Sequence, residues 1–402
     1  MKNGIALVRA ALRKPFRFNI DIVDAHNLKC VICPRGVYYK NNTFKRIELE
    51  VFRRYRRQEE ADFSTISRSD ALIMEYAAPL GFSRPRNDYV KIFVRESAVW
   101  GDGRCPFPGF HPGIYRNAIP GLNDPPFVNP LAHYLRNGQP QGPWLMDIIR
   151  PEHQTLAHDP SGAPTALHLH IHYPDLTAEM LRPLTANYQS RPDVFVTVSS
   201  GEGLHEVAET AAKLCVTIKD IMVVPNRGRD IGPLLTLLGR SLIGDYHIVG
   251  HLHAKRTAFL PKRVGAAWRT FCVENLLGGK HAMMDIILDR FARNPKLGLV
   301  FPCDPYIGGW TINRPPSEIL LGRMGIAANL PEDFFFPAGT MFWARTDAIA
   351  PLLELDLNWN DYPPEPVPYD GTMLHAIERL FPVVAQHRGF EIAGTYVPGV
   401  TR

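Results

Sequence analysis

From residue 166 onward, short apolar runs alternate with amphipathic stretches at a steady rhythm. Leu167–Tyr173, Asp193–Val198, Ile221–Val224, Tyr246–Leu252, Leu297–Phe301 and Met341–Trp343 have the length and apolar content of strands. Between them, Asp175–Tyr188, Gly203–Leu214, Ile231–Leu242, Trp268–Leu277, His281–Arg293 and Thr372–Phe381 read as helices. This alternation predicts an α/β domain with a mainly parallel sheet. Its clearest unit is Val216–Arg256: a strand, a turn at Pro225–Asp230, a helix and a second strand. Ligands on such βαβ units collect at the carboxyl ends of the strands.

Upstream the pattern is less regular. Phe18–Val37, Thr43–Phe52 and Asp88–Val99 read as extended, whereas Arg53–Asp62 and Ser69–Ala78 read as helical. Residues 1–100 are therefore expected to form a smaller N-terminal α+β region. Residues 101–150 are rich in Pro, Gly and Asn, with one short helix that Asn129 can cap, Pro130 can open and Gly138 can close. Residues 151–164 read as a linker, and 165–402 as the main domain.

Composition narrows the partners. At 402 residues and 45% hydrophobic, the chain has ample material for a core. Its net charge of +5 is modest, and much of the excess falls in Lys2–Arg57. A duplex-binding protein is usually more basic and carries a recognisable motif, so nucleic acid is not an expected partner. An anionic substrate or an anionic membrane surface fits better. Ile5–Arg17 is a basic amphipathic stretch that can lie on lipid or pack on the protein body. No run of about 18 apolar residues occurs, so no spanning segment is expected. The six cysteines are scattered, and no secretory signal is evident; both point to a reducing cytoplasm. Cys30 and Cys33 have zinc spacing but no second pair nearby, and read as part of a buried strand.

Candidate chemistry gathers at the strand ends. In Asn226–Asp230, Gly228 permits close backbone approach, Arg227 and Arg229 can fork onto phosphate oxygens, and Asp230 stands at a helix N-cap position. The plainer alternative is a cap with solvated arginines. His251 and His253 share one side of the next strand end, followed by Lys255 and Arg256. The sequence holds no Asp-x-Asp pair to bind a divalent ion, so cations, led by Lys255, are expected to take the metal's place against a diphosphate. No metal or other cofactor is expected. The same histidines also read as hydrogen-bonded structure.

His168, His170 and His172 share one face of a strand. They are core histidines or, joined by Asp230 and Asp370, the metal site of a hydrolase. Gly339 and Thr340 leave room for a sugar beside Phe342 and Trp343. Asp370, at a turn before a helix bearing His375, Glu378 and Arg379 on one side, reads as a general base or as a cap.

Taken in order, His170–Leu176, Asn226–Ile231, His251–Lys255, Trp268–Arg269, Phe336–Arg345 and Asp370–Arg379 resemble the rhamnan synthesis protein F family of bacterial polysaccharide glycosyltransferases. Gly109–Tyr115 and Asn129–Gly138 resemble an accessory segment found in many polysaccharide glycosyltransferases. Ala254 departs from the family, which commonly has Thr there. The resemblance implies a GT-A-like nucleotide-sugar fold. It also implies transfer of rhamnose from a dTDP-activated donor to a polysaccharide or lipid-linked glycan, in the cytoplasm or at the inner face of the membrane. Asn226, Arg227, Arg229, Asp230, His251, His253, Lys255, Gly339 and Thr340 would then bind the donor. The transfer can be inverting or retaining; in the inverting case Asp370 would take the acceptor proton, with His375 and Glu378 orienting it or the sugar. The competing readings are the metal-dependent hydrolase and a non-catalytic carbohydrate-binding module.

Overall fold

Eight strands join in one sheet: β1 Asp147–Ile149, β2 Thr165–Ile171, β3 Asp193–Val198, β4 Asp220–Val223, β5 Ile248–His253, β6 Leu297–Pro302, β7 Phe342–Arg345 and β8 Glu391–Thr395. Their order across the sheet is β1-β8-β6-β7-β5-β2-β3-β4. Every pairing is parallel except those of β7, which runs antiparallel to both β5 and β6. The computed structural model describes residues 42–99, 104–124, 127–153, 163–186, 189–254, 256 and 262–400.

The chain divides into two units, one comprising 1–70, 85–103 and 116–140, the other 71–84, 104–115 and 141–402. The sheet belongs to the second. Its central strands β2, β5 and β6 are buried along their whole length, as expected of parallel strands covered on both faces. On β2, Ala166 faces one core, with Leu234, Leu320, Ile349 and Leu380. Leu167, Leu169 and Ile171 face the other, with Val207, Phe271 and Ile287. The first core is covered by helices Gly239–Asp245, Arg314–Arg323, Thr346–Leu353 and Met373–His387, and the second by Gly201–Leu214, Lys262–Leu276 and Met283–Arg293.

The expected α/β architecture holds, with corrections. Asp88–Val99 is not extended but lies in a helix, Arg86–Val99, because Tyr89, Val90, Phe93 and Val94 are buried together at helical spacing. Thr43–Phe52 is the start of a 26-residue helix, Asn42–Ser67, rich in the Arg and Glu that favour helices. Among the described residues the first unit is thus helical. Ile5–Arg17, Phe18–Val37 and the Cys30/Cys33 pair lie outside those residues. Of Ser69–Ala78 only Met74–Ala77 is α-helical. Asp175–Tyr188 is broken into short turns around Thr177–Leu181, with Pro174 and Pro183 opening the flanking 3-10 turns.

In the first unit, Asp62 is 1% exposed and accepts from the Gln58 amide at 2.8 Å, the Asn129 backbone at 2.8 Å and the Arg136 guanidinium at 2.6 Å. Asn129 caps the Pro130–Arg136 helix as expected, accepting from the Leu131 and Ala132 amides, and Gly138 follows at a φ of 75°. One carboxylate therefore ties the accessory helix to Asn42–Ser67.

Candidate functional site

The direction of β7 builds the site. Because β7 is antiparallel, its first residue, Phe342, pairs with His251 near the end of β5. The preceding loop, Phe336–Met341, is thereby delivered to the carboxyl edge of the parallel strands. That edge also holds the segments that follow β4 (Val224–Gly232) and β6 (Cys303–Asn313).

A polar seam crosses the sheet beneath this edge. Strand register sets His168 opposite His251, His170 opposite His253, and His170 opposite Thr197. The Nδ1 atoms of His168 and His251 are 3.0 Å apart, and the Thr197 hydroxyl lies 2.9 Å from both His168 Nε2 and His170 Nδ1. Beyond them, His251 Nε2 faces Asp230 Oδ2 at 3.5 Å. One proton arrangement satisfies every neutral link and turns an N–H toward the carboxylate. His170 donates to Thr197, Thr197 donates to His168, His168 donates to His251, and the remaining His251 proton points at Asp230. Burial, reinforced by neighbouring histidines, holds His168 well below the ordinary imidazole range; burial likewise pushes His170 down to about 3. Both are therefore neutral, as the arrangement requires.

His253 donates to the carbonyl of Gly339 at 2.7 Å, and its Nε2 lies 3.9 Å from Asp230 Oδ1. On the other side of the loop, the Gly339 amide donates to the Glu378 carboxylate. Gly339 has a φ of +87° and Thr340 a φ of +56°, unusual for a β-branched residue and a form of strain that clusters at functional sites. Arg379 lies beside Glu378 at 3.1 Å, donates to the carbonyls of Gly309 and His375, and stacks over Phe336.

Asp370 stands just before helix Met373–His387. It accepts from Thr311 Oγ1 at 2.5 Å and Asn313 Nδ2 at 2.6 Å, while Asn313 Oδ1 accepts from the Gly371 amide at 3.0 Å. Partial burial raises its pKa, but these donors, the Gly371 backbone and the Arg379 charge outweigh it and hold the carboxyl below its usual range. The residue at the helix N-cap is Thr372, not Asp370. His375 closes that cap, its Nδ1 lying 2.8 Å from the Thr372 hydroxyl.

The arginines of the Asn226–Asp230 turn do something the sequence did not suggest. Arg227 donates from Nε and Nη2 to the Tyr362 carbonyl at 3.0 and 2.9 Å, and Arg229 donates to the Val367 carbonyl at 3.2 Å. A Cβ on Gly228 (φ +73°) would meet the Tyr362 ring at 2.9 Å and the Gly232 Cα at 2.8 Å. Arg227 and Gly228 thus hold the Trp359–Val367 segment, while Asn226 is exposed and Arg229 half-exposed on the same turn. Lys255 lies outside the described residues.

Asp230, His251, His253, Gly339 and Glu378 therefore form one connected group, and Asp370 and His375 stand at the head of the helix that carries Glu378. On the His168/His170/His172 face, both His168 nitrogens and the Nδ1 atoms of His170 and His172 are engaged by Thr197, His251 and Ser199. Among the described residues no three His, Cys, Asp or Glu side chains are grouped to hold a metal ion. Sequence reasoning missed Thr197, Thr311 and Asn313. Only Thr197 in β3 and Ser199 just after it offered a signal, once paired with the His-x-His of β2.

The profile of the family described as Rhamnan synthesis protein F matches residues 129–390. Two strains of Xanthomonas campestris pv. campestris each have an "Uncharacterized protein WxcX" that is 34% identical over 174 residues, 42% of this chain and 24% of the relative. The matched part is thus about a quarter of the length of those relatives. No helix among the described residues is long and apolar enough to cross a membrane.

Proposed function

Because the chain belongs to the rhamnan synthesis protein F family, we propose that it is a glycosyltransferase of bacterial surface-polysaccharide synthesis. In this reading it moves rhamnose from a dTDP-activated donor onto a polysaccharide or lipid-linked glycan, in the cytoplasm or at the inner face of the membrane. The observation that carries the reading is the helix Met373–His387. A carboxylate kept ionised by two side-chain donors stands before its first turn, and its Glu378 fixes the loop over the strand ends.

The donor diphosphate lies at the ends of β4 and β5, near Asn226, Arg229 and Lys255, with Arg227 holding the adjoining segment in place. Asp230, His251 and His253 set the polarity of the pocket wall, and Gly339 and Thr340 bound the sugar. Asp370 accepts the proton of the acceptor hydroxyl as its oxygen attacks the anomeric carbon. The bond from that carbon to the diphosphate breaks, and the nucleoside diphosphate leaves with the charge, which the cations stabilise. His375 and Glu378 act through position, one closing the cap and the other setting the loop. No metal takes part in this scheme, so turnover is expected to persist in excess EDTA.

Asp370→Asn is expected to lower kcat by about 10²-fold or more while dTDP still raises the melting temperature as in the wild type. Wild-type protein that no nucleoside diphosphate stabilises would remove the transferase reading.

A further inference from the structure

The hydrogen-bonded row that ends on Asp230 also has an opposite end, at His170. A carboxylate only accepts, so Asp230 calls for an N–H on His251 Nε2, 3.5 Å away. That choice passes along the row. His251 Nδ1 is then bare and accepts from His168 Nδ1 at 3.0 Å. His168 Nε2 accepts from the Thr197 hydroxyl at 2.9 Å, and the Thr197 oxygen accepts from His170 Nδ1 at 2.9 Å. A neutral imidazole carries one proton, so His170, with its proton on Nδ1, keeps a bare lone pair on Nε2. Burial holds His170 down to about 3, so no second proton covers that lone pair at neutral pH.

His170 stands where a ligand can meet it. It is the penultimate residue of β2, at the carboxyl edge of the sheet, between Thr197 of β3 and His253 of β5. No described residue offers its Nε2 a hydrogen bond, and the residue keeps 5% of its surface open. His251 Nε2, by contrast, is closed off from solvent. The neighbouring rings are already committed: His253 donates to the Gly339 carbonyl, and His172 Nδ1 lies 2.9 Å from the Ser199 hydroxyl. A bare ring nitrogen attracts an O–H or N–H. It repels ionised phosphate oxygens, which have only lone pairs to offer.

We propose that His170 is a specificity-determining residue, whose Nε2 accepts a hydrogen bond from a hydroxyl or N–H of the bound nucleotide sugar and keeps the diphosphate off this part of the edge. The identity of the ligand rests on the transferase reading; the direction of the lone pair does not. The diphosphate is thereby left to the ends of β4 and β5, and a donating part of the ligand lies over β2.

Proton–nitrogen spectra of the whole chain carrying isotope-labelled histidine read which ring nitrogen holds the proton, and the signals lost in His170→Asn or His170→Gln identify this ring. At neutral pH the proton is expected on Nδ1; a proton on Nε2 overturns the inference. The same two variants test recognition. The Asn amide can donate to Thr197 in place of Nδ1 but puts no atom at Nε2, whereas the Gln amide oxygen can stand in for Nε2. In calorimetric titrations, His170→Asn is expected to bind dTDP-rhamnose about tenfold more weakly than the wild type, His170→Gln to recover most of that loss, and both to bind pyrophosphate as the wild type does. An equal loss for dTDP assigns the donating group to the nucleotide, and a loss confined to dTDP-rhamnose assigns it to the sugar. Unchanged dTDP-rhamnose affinity in His170→Asn, or weakened pyrophosphate binding, overturns the recognition role. Wild-type protein that binds no nucleotide while His170 holds its proton on Nδ1 removes the transferase reading and the ligand with it. Nucleotide binding with the proton on Nε2 removes this inference alone.

Discussion

At the scale of single residues, the two glycines of the site answer to protein packing before any ligand. Gly228 lies against Tyr362 and Gly232, and Gly339 lies 3.0 Å (as a Cβ) from Trp268 at positive φ. Gly228→Ala is therefore expected to destabilise the protein by about 1–3 kcal/mol in chemical denaturation, ligand or no ligand. A glycine serving only phosphate approach would leave stability untouched and change dTDP affinity instead. Glu378→Ala is expected to free the Gly339 loop and cost about 10-fold in transfer rate, with Glu378→Gln retaining more because its amide oxygen can still accept the Gly339 N–H. Much of this group could be read from the chain, since Asp230, His251, His253, Gly339 and Glu378 stand in short distinctive blocks. Thr311 and Asn313 could not. They reach Asp370 across 59 and 57 residues, and neither residue type advertises such a contact.

At the scale of elements, apolar runs located the strands of the main sheet but not their directions. Nothing in Met341–Trp343 says that β7 is antiparallel, yet that reversal brings Gly339 to His253. The misread N-terminal segments failed for a related reason. Asp88–Val99 carries paired apolar residues that satisfy a strand loosely and a helix well, and packing chose the helix. The histidine seam makes a prediction of its own. His168, His170 and His111 have folded pKa values depressed below the unfolded value of about 6.5. Above that pH neither state binds the protons and stability is full. As pH falls below it, the unfolded chain takes up protons that the folded chain refuses. Each imidazole then removes about 1.4 kcal/mol per pH unit until its folded pKa is reached. Denaturation midpoints should begin to drop near pH 6.5, so the acid limit of activity should follow unfolding rather than titration of Asp370. A flat midpoint between pH 7 and 5 would show that the histidines take up protons in the fold as readily as in the unfolded chain.

At the scale of the molecule, the larger unit rests on two apolar cores around a sheet, while in the smaller a buried carboxylate joins Pro130–Arg136 to Asn42–Ser67. Asp62→Ala removes the acceptor for three donors and is expected to cost about 3 kcal/mol, read as faster hydrogen exchange in Pro130–Arg136 with the sheet amides unchanged. The family match begins at residue 129, inside the smaller unit, and runs through most of the larger one.

The seam under the strand ends has one more consequence. Each neutral link carries a single hydrogen, so the row has a head and a tail, and only one orientation presents N–H to Asp230. The Asp230 carboxylate, which can only accept, selects that orientation, and the buried Thr197 hydroxyl carries it across the interior of the sheet. Exchanging Thr197 for valine, which has the same outline but no hydroxyl, would leave His168 Nε2 and His170 Nδ1 without their shared partner, and the disturbance would surface at the strand ends although no atom there had been altered.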